Sequence, residues 1–244
     1  PVFVNGDFFC LMQGKGDKRG NKSDIRPEHN NAKYLDSIVE TAVKWFSPYA
    51  KILTVIGYGN HETAIIKYQE TDILQRFVDL MNHVNGTNIK TGGYGGWINL
   101  ITRYSETNTS KFSSKMKYFH GSGGGGIVTK GAINLTRALE TYEGMEIFAL
   151  GHIHENASRN DVRDCLEYNP GSRKYEQKLR EIHHMITGTY KEEYEDGSHG
   201  WHVERGAPPK PVGGRILEIQ LVRKQVDKSD TFVKQIDSKR FPLL

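Results

Sequence analysis

Six residues have side chains suited to a metal ion or to phosphate chemistry, and they fall at four places where an apolar run stops. They are Asp7 in "VFVNGD", Asn60 and His61 in "ILTVIGYGNHE", His120 in "KMKYFH", and His152 and His154 in "IFALGHIH". Aspartate brings an anionic oxygen able to bridge two cations, asparagine a neutral carbonyl oxygen, and imidazole a nitrogen that suits zinc, manganese, iron or nickel. A mixed nitrogen and oxygen set points away from calcium, which takes oxygen ligands. In "GHIH" the spacing of two puts both imidazoles on one face of an extended chain, whereas on a helix it would turn them apart.

Each piece also has a plainer reading. Asp7 in Asn-Gly-Asp is an ordinary turn residue. Asn60 is a good N-cap for the helical pattern that follows it, with Glu62 favourable in the first turn, and capping can coexist with ligation. His120 alone reads as a partly buried histidine. "GHIH" directly after a buried strand has no packing reason, which favours metal there. His29, His83, His183, His184, His199 and His202 stand mostly in polar or loop-like context and read as solvated or structural, with His199 and His202 the foremost exceptions.

The surrounding elements must bring these residues to one place. "VFVNGD" is a short strand entering a turn, and the Gly-, Lys- and Asp-rich segment after it is a long loop of the kind that often carries function. Lys18 and Arg19 in that loop could hold phosphates, but a solvated basic loop is the simpler reading. Helical spacing runs from Tyr34 through Phe46 until Pro48 stops it, "KILTVIGYGN" is a strand ending in glycines, and residues 62 to 83 are again helical in spacing. Beyond the glycine clusters at 91–97 and 121–126, a helix is expected over 130–142, then the strand "MEIFAL", a polar connection, a strand around "HHMITGTY" and a final strand "RILEIQLV". Strands alternating with helices predict a layered α/β protein, in which ligands gather beyond the carboxyl ends of the strands. "GSGGGG" lacks the Gly-Lys-Ser/Thr ending of a P-loop, so no nucleotide cradle is expected.

With 244 residues, 36% apolar and 25% charged, the chain can bury a sizeable core, and one domain spanning 1–244 is the expected organisation. No apolar run approaches the ~18 residues a membrane span needs, so no membrane partner is expected. Cys10 and Cys165 are too few for a disulfide framework and stand near no catalytic pattern; a reducing, cytoplasmic setting is the expectation. The net charge of +4 permits a phosphate-bearing substrate without the basic stripe of a dedicated nucleic-acid binder.

The ordered set "GD" (6–7), "GNHE" (59–62), a strand-end histidine (His120) and "GHIH" (151–154) resembles the calcineurin-like metallophosphoesterases over roughly residues 1 to 190. The Gly-rich loop after His120 and "TGTYKEEY" also resemble phage-encoded members. The resemblance implies a four-layered α/β/β/α sandwich of two mixed sheets flanked by helices. It further implies two divalent transition-metal ions, manganese first and iron, zinc or nickel as alternatives. Asp7 would bridge them, Asn60, His120 and His152 would complete one site, and His154 would bind in the other. His61 would be no ligand but would face the substrate phosphate as acid or electrostatic stabiliser.

Two departures stand out. Cys10 occupies a position where the family often has a second aspartate, and no Asp-x-His occurs in the sequence, so that motif is expected on a strand upstream of Pro1. The implied activity is hydrolysis of phosphate esters through a dinuclear centre and a bridging hydroxide, with a phosphodiesterase or nuclease first and nucleic acid as a candidate substrate. The alternatives are a phosphomonoesterase or protein phosphatase, or a metallophosphoesterase-like scaffold that binds without catalysis.

Overall fold

The computed structural model describes residues 1–11, 25–103, 111–192, 194, 201–204, 206–226 and 229–242, with the side chains of 201, 202, 223–226 and 229–232 outside that description. Lys18, Arg19 and His199, and the side chain of His202, therefore lie outside it. The fold is mixed α/β. The chain divides into two compact units, Pro1–Gly96 and Trp97–Leu244. No helix among the described residues is long and apolar enough to cross a membrane.

The first unit rests on two helices whose apolar spacing follows the helical period. Helix α1 (Tyr34–Phe46) turns Val39 and Val43 inward and gives way to a 3-10 turn containing Pro48, whose missing N–H cannot continue the ladder. As expected from spacing, Ile73, Leu74, Phe77, Val78 and Met81 form one buried face, but they belong to a separate helix. The single helix read over residues 62 to 83 is two, α2 (Asn60–Gln69) and α3 (Ile73–Asn85). The break has local causes: Glu70 closes α2 in the left-handed conformation (φ 53°), and Asp72 accepts the Gln75 N–H (2.9 Å) to cap α3.

Three strands, β1 (Val2–Val4), β2 (Leu53–Ile56) and β3 (Lys90–Thr91), form a parallel sheet in that order, with Val4 opposite Ile56. Phe77, fully buried, gathers Phe8 (ring centroids 4.8 Å apart), Phe9 (5.6 Å) and Phe46 (6.2 Å) around it. Burying each such ring stabilises by about 1.5–3 kcal/mol. Phe8 and Phe9 directly follow Asp7, so the core grips the loop that carries it.

The second unit carries a five-stranded sheet, whose first strand starts two residues before the unit does, in the order β4 (Gly95–Arg103), β5 (Lys111–Phe119), β6 (Ile147–Leu150), β8 (Lys174–Thr187), β7 (Asn156–Asn169). Strands β5, β6 and β8 run parallel and β7 is antiparallel to β8. This sheet is mixed, as expected, whereas the three-stranded one is wholly parallel. Helix α4 (Ala132–Thr141) packs Leu135 and Ala138 with Phe148, Ile153, Ile182 and Ile186. The polar connection expected after "GHIH" is instead strand β7 and the start of β8, and the final strand is a hairpin, β9 (Gly213–Val226) with β10 (Ser229–Pro242).

A polar network ties that hairpin to the sheet. Arg215 donates from Nε to Ser238 Oγ (2.9 Å) and from its terminal nitrogens to Asn156 Oδ1 (2.8 Å) and Ser158 Oγ (2.7 Å). Ser238 Oγ, already an acceptor, donates to His183 Nε2 (2.7 Å), which leaves His183 Nδ1–H to donate to Asn160 Oδ1 (2.7 Å). His183 is thus a structural, neutral imidazole in the interior.

Its neighbour His184 is fully buried beside Phe148, and neither ring nitrogen makes a hydrogen bond among the described residues. Burial pushes its pKa down from 6.5 to about 4; the Asp161 carboxylate, 3.3 Å from Nε2, opposes the fall, while Arg159 and His183 reinforce it. His183 is shifted the same way by burial and by Arg215, against Asp237 and Glu181. The folded-state value lies below the unfolded one, so as pH falls the unfolded chain takes the proton first. The His184 contribution is intact above about pH 6.5 and is lost as pH drops toward about 4. On the order of 3 kcal/mol should disappear across that window. Urea unfolding from pH 7.5 to 4 should show it, with a shallower slope in His184→Leu. Equal slopes in the two proteins would remove the assignment.

Candidate metal centre

In the first unit the site grows from the parallel ends of β1 and β2. The Gly57 N–H donates to Val4 O (2.8 Å), so the two chains stay paired just past Ile56 and their following loops leave the sheet at one edge. Asp7 comes three residues after β1 and Asn60 four after β2. Gly6 (φ 80°) and Asp7 (φ 51°) are both left-handed, which turns the chain sharply at the aspartate. Asp7 Oδ1 accepts the His61 N–H (3.1 Å), and the His61 Nε2 lies 3.9 Å from Asp7 Oδ2, with both side chains mostly buried. Asp7 and His61 are therefore in direct contact, with Asn60 adjacent in the chain.

Asn60 does not cap α2; it is the first residue of the helix, and Gly59 holds the cap position with an extended backbone. The Gly59 N–H donates to Glu62 Oε2 (2.8 Å), and glycine has no side chain to return the bond, so half of a capping box exists. Gly59 is required by space rather than by backbone freedom. A Cβ there would lie 2.1 Å from Asp7 Oδ1 and 2.3 Å from the Asp7 nitrogen.

Glu62 does more than support a helix start. Its carboxylate, fully buried, also accepts the N–H groups of Asp7 (3.1 Å) and Phe9 (2.8 Å). Burial pushes this carboxyl up from the ordinary value and the nearby Asp7 charge adds to the rise, against the Phe9 and Gly59 N–H groups that pull it down. Tyr94 also belongs to this neighbourhood: its phenol is pushed up by burial and by the charges of Asp7 and Glu62. The sequence marks Glu62 only as an acidic residue in the first turn of a helix and as the last residue of "GNHE"; Tyr94 has no signal beyond standing in a glycine-rich stretch.

In the second unit, the parallel strands β5 and β6 end side by side at Phe119 and Leu150, and the Gly151 N–H donates to Phe119 O (3.3 Å). His120 follows β5 immediately and is buried; His152 follows two residues after β6. Their rings stand 5.3 Å apart between centroids at an interplanar angle of 72°. The approach depends on Gly121, whose φ of 111° excludes side chains and whose Cβ would sit 2.9 Å from His152 Cβ.

The "GHIH" segment is not extended as its spacing suggested. His152 (φ 65°) and His154 (φ 57°) are both left-handed, and the Ile153 N–H bonds back to Gly151 O (2.7 Å). Ile153 between them is buried in the α4 cluster, which supplies the packing reason for the tight turn. Glu155 follows, buried and ion-paired to Lys210, and closes the loop. Of the other histidines, His29 is buried and shares a hydrogen bond with Ser37 (3.1 Å), His83 is exposed, and His183 and His184 are interior residues of β8.

The structure thus brings Asp7 and His61 together in one unit and His120 and His152 together in the other, with His154 in the same tight loop as His152. The first set offers a carboxylate and an imidazole and the second two imidazoles, donor types that divalent transition metals accept. No protein-family model, curated protein or solved structure matches this chain.

Proposed function

We propose that this protein is a metal-dependent phosphoesterase. Asp7 and Asn60 are its oxygen donors, His120, His152 and His154 its nitrogen donors, and His61 the group that meets the substrate phosphate. The observation that carries the reading is the backbone at three of these residues. Asp7, His152 and His154 are three of the six non-glycine residues with positive φ among the described residues. Aspartate and histidine tolerate that region better than most side chains, yet each still costs about 1 kcal/mol or more. Such strain persists where the surroundings over-determine it, and it clusters at ligand clamps.

The donors fit divalent ions by type, manganese first, with iron, zinc and nickel as alternatives. Bound ions would polarise a phosphoryl oxygen and lower the pKa of water held at the centre. The chain's own residues do the rest. The His61 N–H orients the Asp7 carboxylate, and the His61 ring, beside it, supplies a proton or positive charge to the leaving oxygen. The four-layered α/β/β/α sandwich belongs to the same proposal, as does a phosphodiester, nucleic acid included, as the preferred substrate.

Protein purified without chelator should carry about two transition-metal ions per chain and hydrolyse bis-p-nitrophenyl phosphate when supplied with Mn²⁺. Turnover of p-nitrophenyl phosphate alone would replace the diesterase with a phosphomonoesterase. Less than one ion per chain, with no gain on adding Mn²⁺, would remove the metal reading altogether.

A further inference from the structure

We infer that Glu62 is a positioning residue, a clamp that fixes the Asp7 loop against the head of α2 and so sets where the Asp7 carboxylate stands. What it positions rests on the phosphoesterase reading; that it clamps does not. Three backbone N–H groups from two chain segments converge on this one carboxylate: Phe9 on Oε1, and Asp7 and Gly59 on Oε2. The segments lie more than fifty residues apart in sequence, so no local turn would hold them together.

The arrangement is reciprocal. Glu62 takes the N–H of Asp7, while Asp7 takes the N–H of His61, one residue before Glu62. Each carboxylate thereby satisfies a donor on the other's segment, and rotating either element would leave buried N–H groups without acceptors. A carboxylate committed to three N–H donors is poorly placed to serve as general base. Its product is geometry: Asp7 is held in its left-handed conformation with Oδ1 turned toward α2. The two phenylalanines after Asp7 fix the far side of the loop in the core, so Glu62 is the polar half of a two-sided anchor.

Glu62→Gln tests this, because the amide keeps the size but turns an N–H₂ toward backbone donors. Hydrogen exchange by NMR should accelerate about 10-fold or more at Asp7, Phe9 and Gly59, while the Met81 amide in α3 keeps its protection. Mn²⁺ affinity should weaken about 10- to 100-fold, the loss typical when a group orienting a metal ligand is removed. Val39→Ala is the control: it loosens the same core from α1 while leaving Phe8, Phe9, Phe77 and the clamp in place, and should leave Mn²⁺ affinity within about 3-fold of wild type. Unchanged exchange at the three amides, or equal loss of Mn²⁺ affinity in both variants, overturns the clamp. Wild-type protein that takes up no Mn²⁺ overturns the phosphoesterase reading and the positioning role together, whereas Mn²⁺ uptake untouched by Glu62→Gln overturns only the latter.

Discussion

His61→Ala is expected to lower phosphodiester hydrolysis by roughly 10²- to 10⁴-fold while leaving Mn²⁺ binding close to wild type. The substitution separates two things His61 does. Its backbone N–H, which holds Asp7 Oδ1 at 3.1 Å, survives in alanine, so the orientation of the carboxylate is kept. Only the ring is removed, and with it the proton or charge offered to the leaving oxygen, a loss of about 3 to 5 kcal/mol in transition-state stabilisation. KM should change little and kcat should carry the effect, because the interaction strengthens as the leaving oxygen gains charge. A variant that hydrolyses the diester at the wild-type rate removes His61 from the mechanism. A variant that loses Mn²⁺ as well as activity makes His61 a ligand instead.

Gly59→Ala should be the most damaging single methyl in the first unit. The Gly59 backbone is extended (φ −114°, ψ −173°), a conformation alanine adopts freely, so no torsional strain is involved. The cost is steric. A Cβ would stand 2.1 Å from Asp7 Oδ1, 2.3 Å from Asp7 N and 2.7 Å from Asp7 Cγ. Because one of the blocking atoms is backbone, a rotamer change at Asp7 cannot clear the space, and the loop and helix must part. Parting them also pulls the Asp7 and Gly59 N–H groups away from Glu62. Destabilisation of about 2–4 kcal/mol is expected from overpacking plus broken buried hydrogen bonds, with loss of Mn²⁺ uptake in the fraction that folds. Urea unfolding and metal titration measure the two separately. Wild-type values in both would show that the two segments tolerate a wider gap than their contacts indicate.

Several elements are legible in the sequence alone. Helix α1 reads off its apolar spacing and Pro48, because an amphipathic helix and a proline stop are properties of nearby residues. Strand β6, buried at all four positions, reads from the run "IFAL" for the same reason. The division between α2 and α3 is hidden, because their helical periodicity continues almost unbroken across it and Glu70 gives no sign that it will turn left-handed. Strand β7 and the outer half of β8 are hidden for a different reason. Their stability comes from fourteen paired residues and cross-strand contacts such as Gln177 to Asp164 (2.8 Å) and Arg180 to Glu167, not from an apolar face turned into a core.

Residue type and local pattern set the chemistry: which residues are oxygen donors, which are imidazoles, and that each follows the end of a strand. Those facts hold whatever the chain does elsewhere. The geometry came from the folded chain. Folding made "GHIH" a left-handed turn around a buried Ile153 rather than an extended pair, moved the helix cap from Asn60 to Gly59, and turned Glu62 from a helix-start residue into the acceptor of three N–H groups. Each of these depends on contacts between segments distant in the chain, such as Glu62 with Phe9 and Ile153 with Ile186, and local sequence carries no record of which distant partner will fill a hydrogen bond or a gap in the core.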